Sequence, residues 1–135
     1  MYHVENEFGN PYTASGLTWT LNKNGSVTVE GTATANGTYN FPGYSLSTNV
    51  SPVLLDPEKQ YRVHGCPASG STSTYRIVAR CWTSLQTPDG TGGTTYSDIG
   101  SGVTVPTGYR YMQVYAVVYS GYTCPSGGLT FYPMV

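Results

Sequence analysis

Apolar and polar residues alternate along much of this chain with a period of two. Leu17, Trp19 and Leu21 are interleaved with Thr18, Thr20 and Asn22, the pattern of a strand buried on one face and wet on the other. Asn22-Lys23-Asn24-Gly25 then supplies residues that tolerate positive φ, as a tight hairpin turn requires. Val27 and Val29 resume the alternation within Ser26 to Glu30, and Gly31 permits a bend. Thr32 to Tyr39 continues in small and β-branched residues, with Asn36-Gly37 as a second turn or bulge signal. The stretch 16–41 therefore predicts two strands and the start of a third.

The same period recurs downstream. Phe41-Pro42-Gly43-Tyr44 and Asp56-Pro57-Glu58-Lys59 read as turns, with the short apolar run Val53-Leu54-Leu55 between them. Tyr75 to Trp82 is a strong strand: Tyr75, Ile77, Ala79 and Cys81 form the core face, and Arg76, Val78, Arg80 and Trp82 the opposite one. Thr83 to Thr95 is a long loop of Gly, Thr, Pro and Asp, a length usually reserved for functional or mobile segments. Ser97 to Val105 reads as one short strand. Tyr109 to Ser120 is the longest strand signal, with Met112, Val114, Ala116 and Val118 inward and Tyr109, Tyr111, Gln113, Tyr115, Val117 and Tyr119 outward. Leu129 to Met134 closes the chain, with Leu129 and Phe131 inward. Residues 1–15 show no clean period and predict an extended lead-in or linker anchored by Phe8 and Tyr12, leaving 16–135 as one domain. No ten-residue stretch has helical periodicity. Eight or nine short strands, antiparallel by default, predict an all-β fold: an antiparallel two-sheet β-sandwich.

Composition sharpens this picture. Only 10% of the 135 residues are charged, so Ser, Thr, Asn and Tyr must supply the polar surface. Thirteen Tyr stand against three Phe, and each phenol that is buried requires a partner, which predicts aromatic surface left exposed or placed at an interface. The net charge is −1 and the six basic residues do not cluster, which argues against nucleic acid as a partner. No apolar run approaches the roughly 20 residues of a helical membrane span, and no charged and apolar leader of the secretory kind opens the chain. Cys66, Cys81 and Cys124 leave at least one thiol unpaired in a monomer. Cys66 and Cys124, each before a proline, are candidates for a disulfide or for small buried side chains. Their spacings, with His3 and His64, match no zinc pattern.

Candidate chemistry is sparse. Glu5, Glu7, Glu30, Asp56, Glu58, Asp89 and Asp98 read as solvated turn and strand-end acids, and no two are placed as the facing pair a glycosidase needs. Neither histidine sits in a nucleophile motif, so the chain reads as non-enzymatic. The signal that remains is a face for sugars. Sugar rings stack their C–H faces on aromatic rings, and their hydroxyls bond to Arg, Gln and Asn. Trp82, Tyr115 and Tyr119, with Arg76, Arg80 and Gln113, bring these groups together if their two strands are neighbours in one sheet. The alternative is that they are ordinary strand residues, covered by the lead-in or by a neighbouring subunit.

Four stretches carry a resemblance: GLTWTLNKNGSVTVEGTATANGTYNF at 16–41, KQYRVHGCPASGSTSTYRIVAR at 59–80, DIGSGVTV at 98–105 and GGLTFYPMV at 127–135. In this order they resemble a jelly-roll, carbohydrate-binding-module-like β-sandwich domain of tail and other structural proteins in phages and prophages of Gram-positive gut bacteria. The resemblance implies a jelly-roll-like sandwich located in a virion, on a tail, baseplate or fibre, and a central strand at Gln60 to His64 with Tyr61 and Val63 inward, where related domains have a leucine, a short polar turn and then tyrosine-x-leucine/valine. Its implied partners are a cell-surface or polysaccharide glycan and other virion subunits, including further copies of itself, with no membrane. Two alternatives stay open: a purely structural oligomerising or decorating subunit, and a carbohydrate-binding module of a secreted bacterial enzyme. Sandwich modules of this kind often hold a structural calcium. Here only Asp89 and Asp98 would serve, without the D-x-D cluster that calcium favours, so no cofactor is expected.

Overall fold

The computed structural model describes residues 10–41, 53–83 and 93–135. Phe8, the early acids, His3, the turn at 42–44, Asp89 and most of the loop expected at 83–95 lie outside the described residues. Eleven strands are present among the described residues: β1 (Tyr12–Ala14), β2 (Leu17–Leu21), β3 (Val27–Gly31), β4 (Gly37–Asn40), β5 (Val53–Leu54), β6 (Tyr61–Val63), β7 (Tyr75–Trp82), β8 (Thr94–Asp98), β9 (Val103–Val105), β10 (Tyr111–Val118) and β11 (Leu129–Phe131). The chain is all-β, and every pairing is antiparallel. No helix among the described residues is long and apolar enough to cross a membrane.

One sheet has the order β1-β2-β3-β11, and a second has β4-β10-β7-β8 with β5 pairing the start of β10. A small third sheet pairs β6 with β9. The hairpin between β2 and β3 is the turn expected from Asn22 to Gly25. Asn22 N–H donates to Ser26 O at 2.8 Å, and the Asn24 side chain accepts from Ser26 N–H at 3.0 Å, an Asx turn. The segment 32–36 then carries the chain into the other sheet, where β4 pairs with β10. Tyr12–Ala14, expected as part of a lead-in, pairs with β2 as an edge strand.

The two larger sheets share one core. From the first come Leu17, Trp19, Val27, Val29 and Phe131; from the second come Tyr39, Tyr75, Ile77, Met112 and Val114. Rings meet between the sheets: Trp19 stacks on Tyr39 at 5.2 Å between centroids, and Phe131 meets Tyr75 edge-on at 6.2 Å. Each such side chain contributes roughly 1.5–3 kcal/mol by leaving water. The inward faces of β7 and β10 are those expected from the alternation, but Tyr109, expected on the outer face, lies before β10 and packs against the core.

Two further expectations are corrected. Ser97 to Val105 is not one strand but β8 and β9, in different sheets, separated by a turn. The cause is Asp98. Its Oδ1 accepts Gly100 N–H at 2.9 Å and Gly102 N–H at 2.7 Å, which folds the backbone back on itself. Asp98 Oδ2 also accepts Cys66 N–H at 2.9 Å, and the residue is 1% exposed. It is therefore a buried structural carboxylate, not the solvated turn acid expected.

Candidate functional site

Strands β7 and β10 are neighbours over eight residue pairs. The register sets Trp82 opposite Tyr111, Arg80 opposite Gln113, Val78 opposite Tyr115 and Arg76 opposite Val117. Directly opposed residues of an antiparallel pair point to the same side. Arg76, Arg80, Trp82, Gln113 and Tyr115 therefore share the face turned away from the core. Tyr119 joins them just past the end of β10, held by its backbone N–H donating to Thr74 O at 2.9 Å.

The groups on this face are in contact. Arg76 Nε donates to Tyr119 Oη at 2.6 Å, and its guanidinium lies 5.7 Å from the centre of the Tyr119 ring. Arg76 Nη1 donates to Ser97 Oγ on β8. Gln113 Nε2 donates to Asn40 Oδ1 on β4 at 3.3 Å. The Arg80 guanidinium sits 5.5 Å from the centre of the Trp82 ring, a cation–π arrangement.

Their exposure divides them. Arg76, Arg80, Tyr115 and Tyr119 are half-buried, each with part of its surface in solvent. Trp82 is only 7% exposed and Gln113 only 9%. The indole expected to stack on a sugar is thus largely covered, with a guanidinium near its ring. The accessible rings of this face are tyrosines. Sequence reasoning missed Ser97 and Asn40: a serine in a short, mostly polar strand and an asparagine at a strand end give no pattern signal, and only the register brings them here.

Other chemistry-bearing residues lie elsewhere. All three cysteines are buried and free, so Cys66 and Cys124 are not joined. Burial, reinforced by the charge of Asp98, pushes the Cys66 thiol up to about 12; burial alone takes Cys81 to about 12. Cys124 is raised by burial and by Glu30. Such thiols are not nucleophiles at neutral pH. Tyr96 and Tyr109 share a 2.7 Å hydroxyl bond that, with burial, raises Tyr96 to about 12. His64 is exposed and tied through its backbone to Met134. No three of His, Cys, Asp and Glu converge on a metal position among the described residues, and both Asp98 oxygens face N–H donors rather than a cation. Comparison with protein-family models, curated proteins and solved structures finds no match to this chain. What the outer face of β7 and β10 can do follows from its own groups. It presents hydrogen-bond donors beside phenol rings on two paired strands.

Proposed function

We propose that this chain is a non-catalytic β-sandwich module of jelly-roll type that binds a cell-surface or polysaccharide glycan through the outer face of β7 and β10. The observation that supports this most is the alignment of Arg76, Arg80, Gln113, Tyr115 and Tyr119 on one side of adjacent strands. Tyrosine rings offer a surface for the C–H face of a sugar, and the arginines and Gln113 offer donors to its hydroxyls. Each site would bind weakly, and several copies on one particle would raise the avidity. The resemblance of residues 16–41, 59–80, 98–105 and 127–135 to phage and prophage tail domains supplies the setting: a tail, baseplate or fibre, where many copies face a bacterial wall.

A specific observation favours a second reading. Val78 and Val117, interleaved with the polar groups on this face, are buried along with Trp82. A face whose apolar members are covered by the chain itself leaves few groups for a ligand and suits a structural subunit, with its half-buried tyrosines free to pack against a neighbouring copy.

The test is binding of the purified protein to a panel of glycans and bacterial wall polysaccharides, with Tyr115→Ala alongside and size measured by light scattering. A monomer that binds a glycan, and loses at least about tenfold in affinity on Tyr115→Ala, supports the glycan reading; tenfold corresponds to about 1.4 kcal/mol. A stable multimer that binds no glycan supports the assembly reading instead.

A further inference from the structure

Arg76 is held by neutral hydroxyls rather than by a carboxylate among the described residues. Its Nε and Nη1 donate to Tyr119 Oη and Ser97 Oγ, two neutral hydroxyls. Each hydroxyl that accepts from the guanidinium must turn its own proton elsewhere, and neither makes another hydrogen bond among the described residues. The guanidinium carries five N–H groups, and only two are used here. Three chemical groups therefore offer spare donors at one spot: the guanidinium, the Tyr119 hydroxyl and the Ser97 hydroxyl. No carboxylate of the described residues pairs with this cation. Of the side chains that β4, β10, β7 and β8 direct to this face, two are arginines and none is an Asp or Glu. Arg80 lies four residues from Arg76 on the same side of β7, about 13 Å along a strand.

A half-buried cation bound by two neutral hydroxyls whose own protons are free, with no carboxylate of the described residues beside it, is complementary to an anion with several acceptor oxygens. A neutral sugar hydroxyl would leave that charge uncompensated. We infer that Arg76, Tyr119 and Ser97 form an anion subsite, and that the glycan held by this face is acidic, with a carboxylate, sulfate or phosphate group seated on Arg76. This inference rests on the glycan-binding reading and names the class of glycan. Ser97 is a new member of the site, acting from β8 at the flank of β7.

The experiment uses the intact chain and pairs of polysaccharides that differ in charge. The pairs are polygalacturonate and its methyl ester, chondroitin sulfate and its desulfated form, and glycerol-phosphate teichoic acid with dextran as the neutral reference. Binding is measured by calorimetry for the parent chain and for Arg76→Gln, Arg76→Lys, Tyr119→Phe and Ser97→Ala, with Lys23→Gln as a control for charge lost at a remote turn. Melting curves show which variants remain folded. The expected result is preference for the acidic member of one pair by at least about tenfold, the scale of a charge-assisted hydrogen bond. Arg76→Gln abolishes that preference, Arg76→Lys restores part of it, Tyr119→Phe and Ser97→Ala each weaken it several-fold, and Lys23→Gln leaves it unchanged. The pair that shows the preference identifies the acid group. Equal binding of neutral and acidic members, lost on Tyr115→Ala but not in folded Arg76→Gln, would overturn the anion subsite and leave the glycan reading standing. Binding of no glycan, acidic or neutral, would overturn both.

Discussion

Asp98 shows what a single residue contributes to this fold and why sequence patterns miss it. A carboxylate beside Gly100 and Gly102 has the composition of an exposed turn, yet it is buried and accepts three backbone N–H bonds. One of these reaches Cys66, 32 residues earlier in the chain, so no local pattern could announce it. Asp98→Ala leaves three N–H groups without their acceptor and is expected to lower stability by about 3 kcal/mol, with Asp98→Asn intermediate because one acceptor oxygen survives. The midpoint of urea unfolding at neutral pH measures this. A solvated turn acid would give a shift within about 0.5 kcal/mol, and that outcome would remove Asp98 from the structural account. At the candidate site the same limit applies: Arg76 and Tyr119 were legible as members of one face, but their direct bond and the part played by Ser97 depend on register and rotamer.

At the scale of elements, long alternating strands were legible and short ones were not. In β7 and β10 the alternation extends over eight residues each, enough to separate a core face of Ile77, Ala79, Val114 and Ala116 from a polar-aromatic one. β6 and β9 are three residues each, too short for a period to stand out, and a glycine just after β6 meets the closing segment. Gly65 follows β6 at φ +116°, where His64 and Gly65 exchange backbone hydrogen bonds with Tyr132 and Met134 of the closing segment. A Cβ at Gly65 would stand 1.8 Å from Tyr132 O, an impossible contact that the closing segment could relieve only by moving away. Gly108, at φ +104°, has open space around the same position. Gly108→Ala thus meets only backbone strain, about 1–2 kcal/mol. Gly65→Ala meets that strain and the clash together, and its loss is expected to exceed that of Gly108→Ala. Thermal melts of the two variants side by side measure the difference, and hydrogen exchange at Met134 N–H should accelerate in Gly65→Ala alone. Equal losses would mean that the closing segment yields without cost.

For the whole molecule, the sequence pointed to an all-β chain with a core lined by alternate residues, but not to which strands share a sheet. Sheet membership is decided by backbone pairings such as β3 with β11 and β4 with β10, between residues far apart in sequence. The same closed interior holds three reduced thiols, which gives global stability a distinctive pH dependence. In an unfolded chain, cysteine ionises near pH 9 and tyrosine near pH 10. In the folded chain Cys66 and Cys81 keep their protons to about 12, chiefly through burial, and Tyr96 does so to about 12, chiefly through its bond to Tyr109. A folded value above the unfolded one means that the unfolded state releases its proton first, so raising the pH favours unfolding. The contribution of these groups is complete below pH 9 and is lost as the pH climbs from about 9 towards 12. Urea midpoints taken across this range should hold steady from pH 6 to 8 and then fall. Thiol labelling at pH 8 tests the same interior directly: the native protein should react slowly at Cys66, Cys81 and Cys124, and the guanidinium-unfolded protein should label all three quickly. A midpoint that stays level to pH 11, together with rapid labelling of the native chain, would mean that the interior opens to water far more readily than its packing implies.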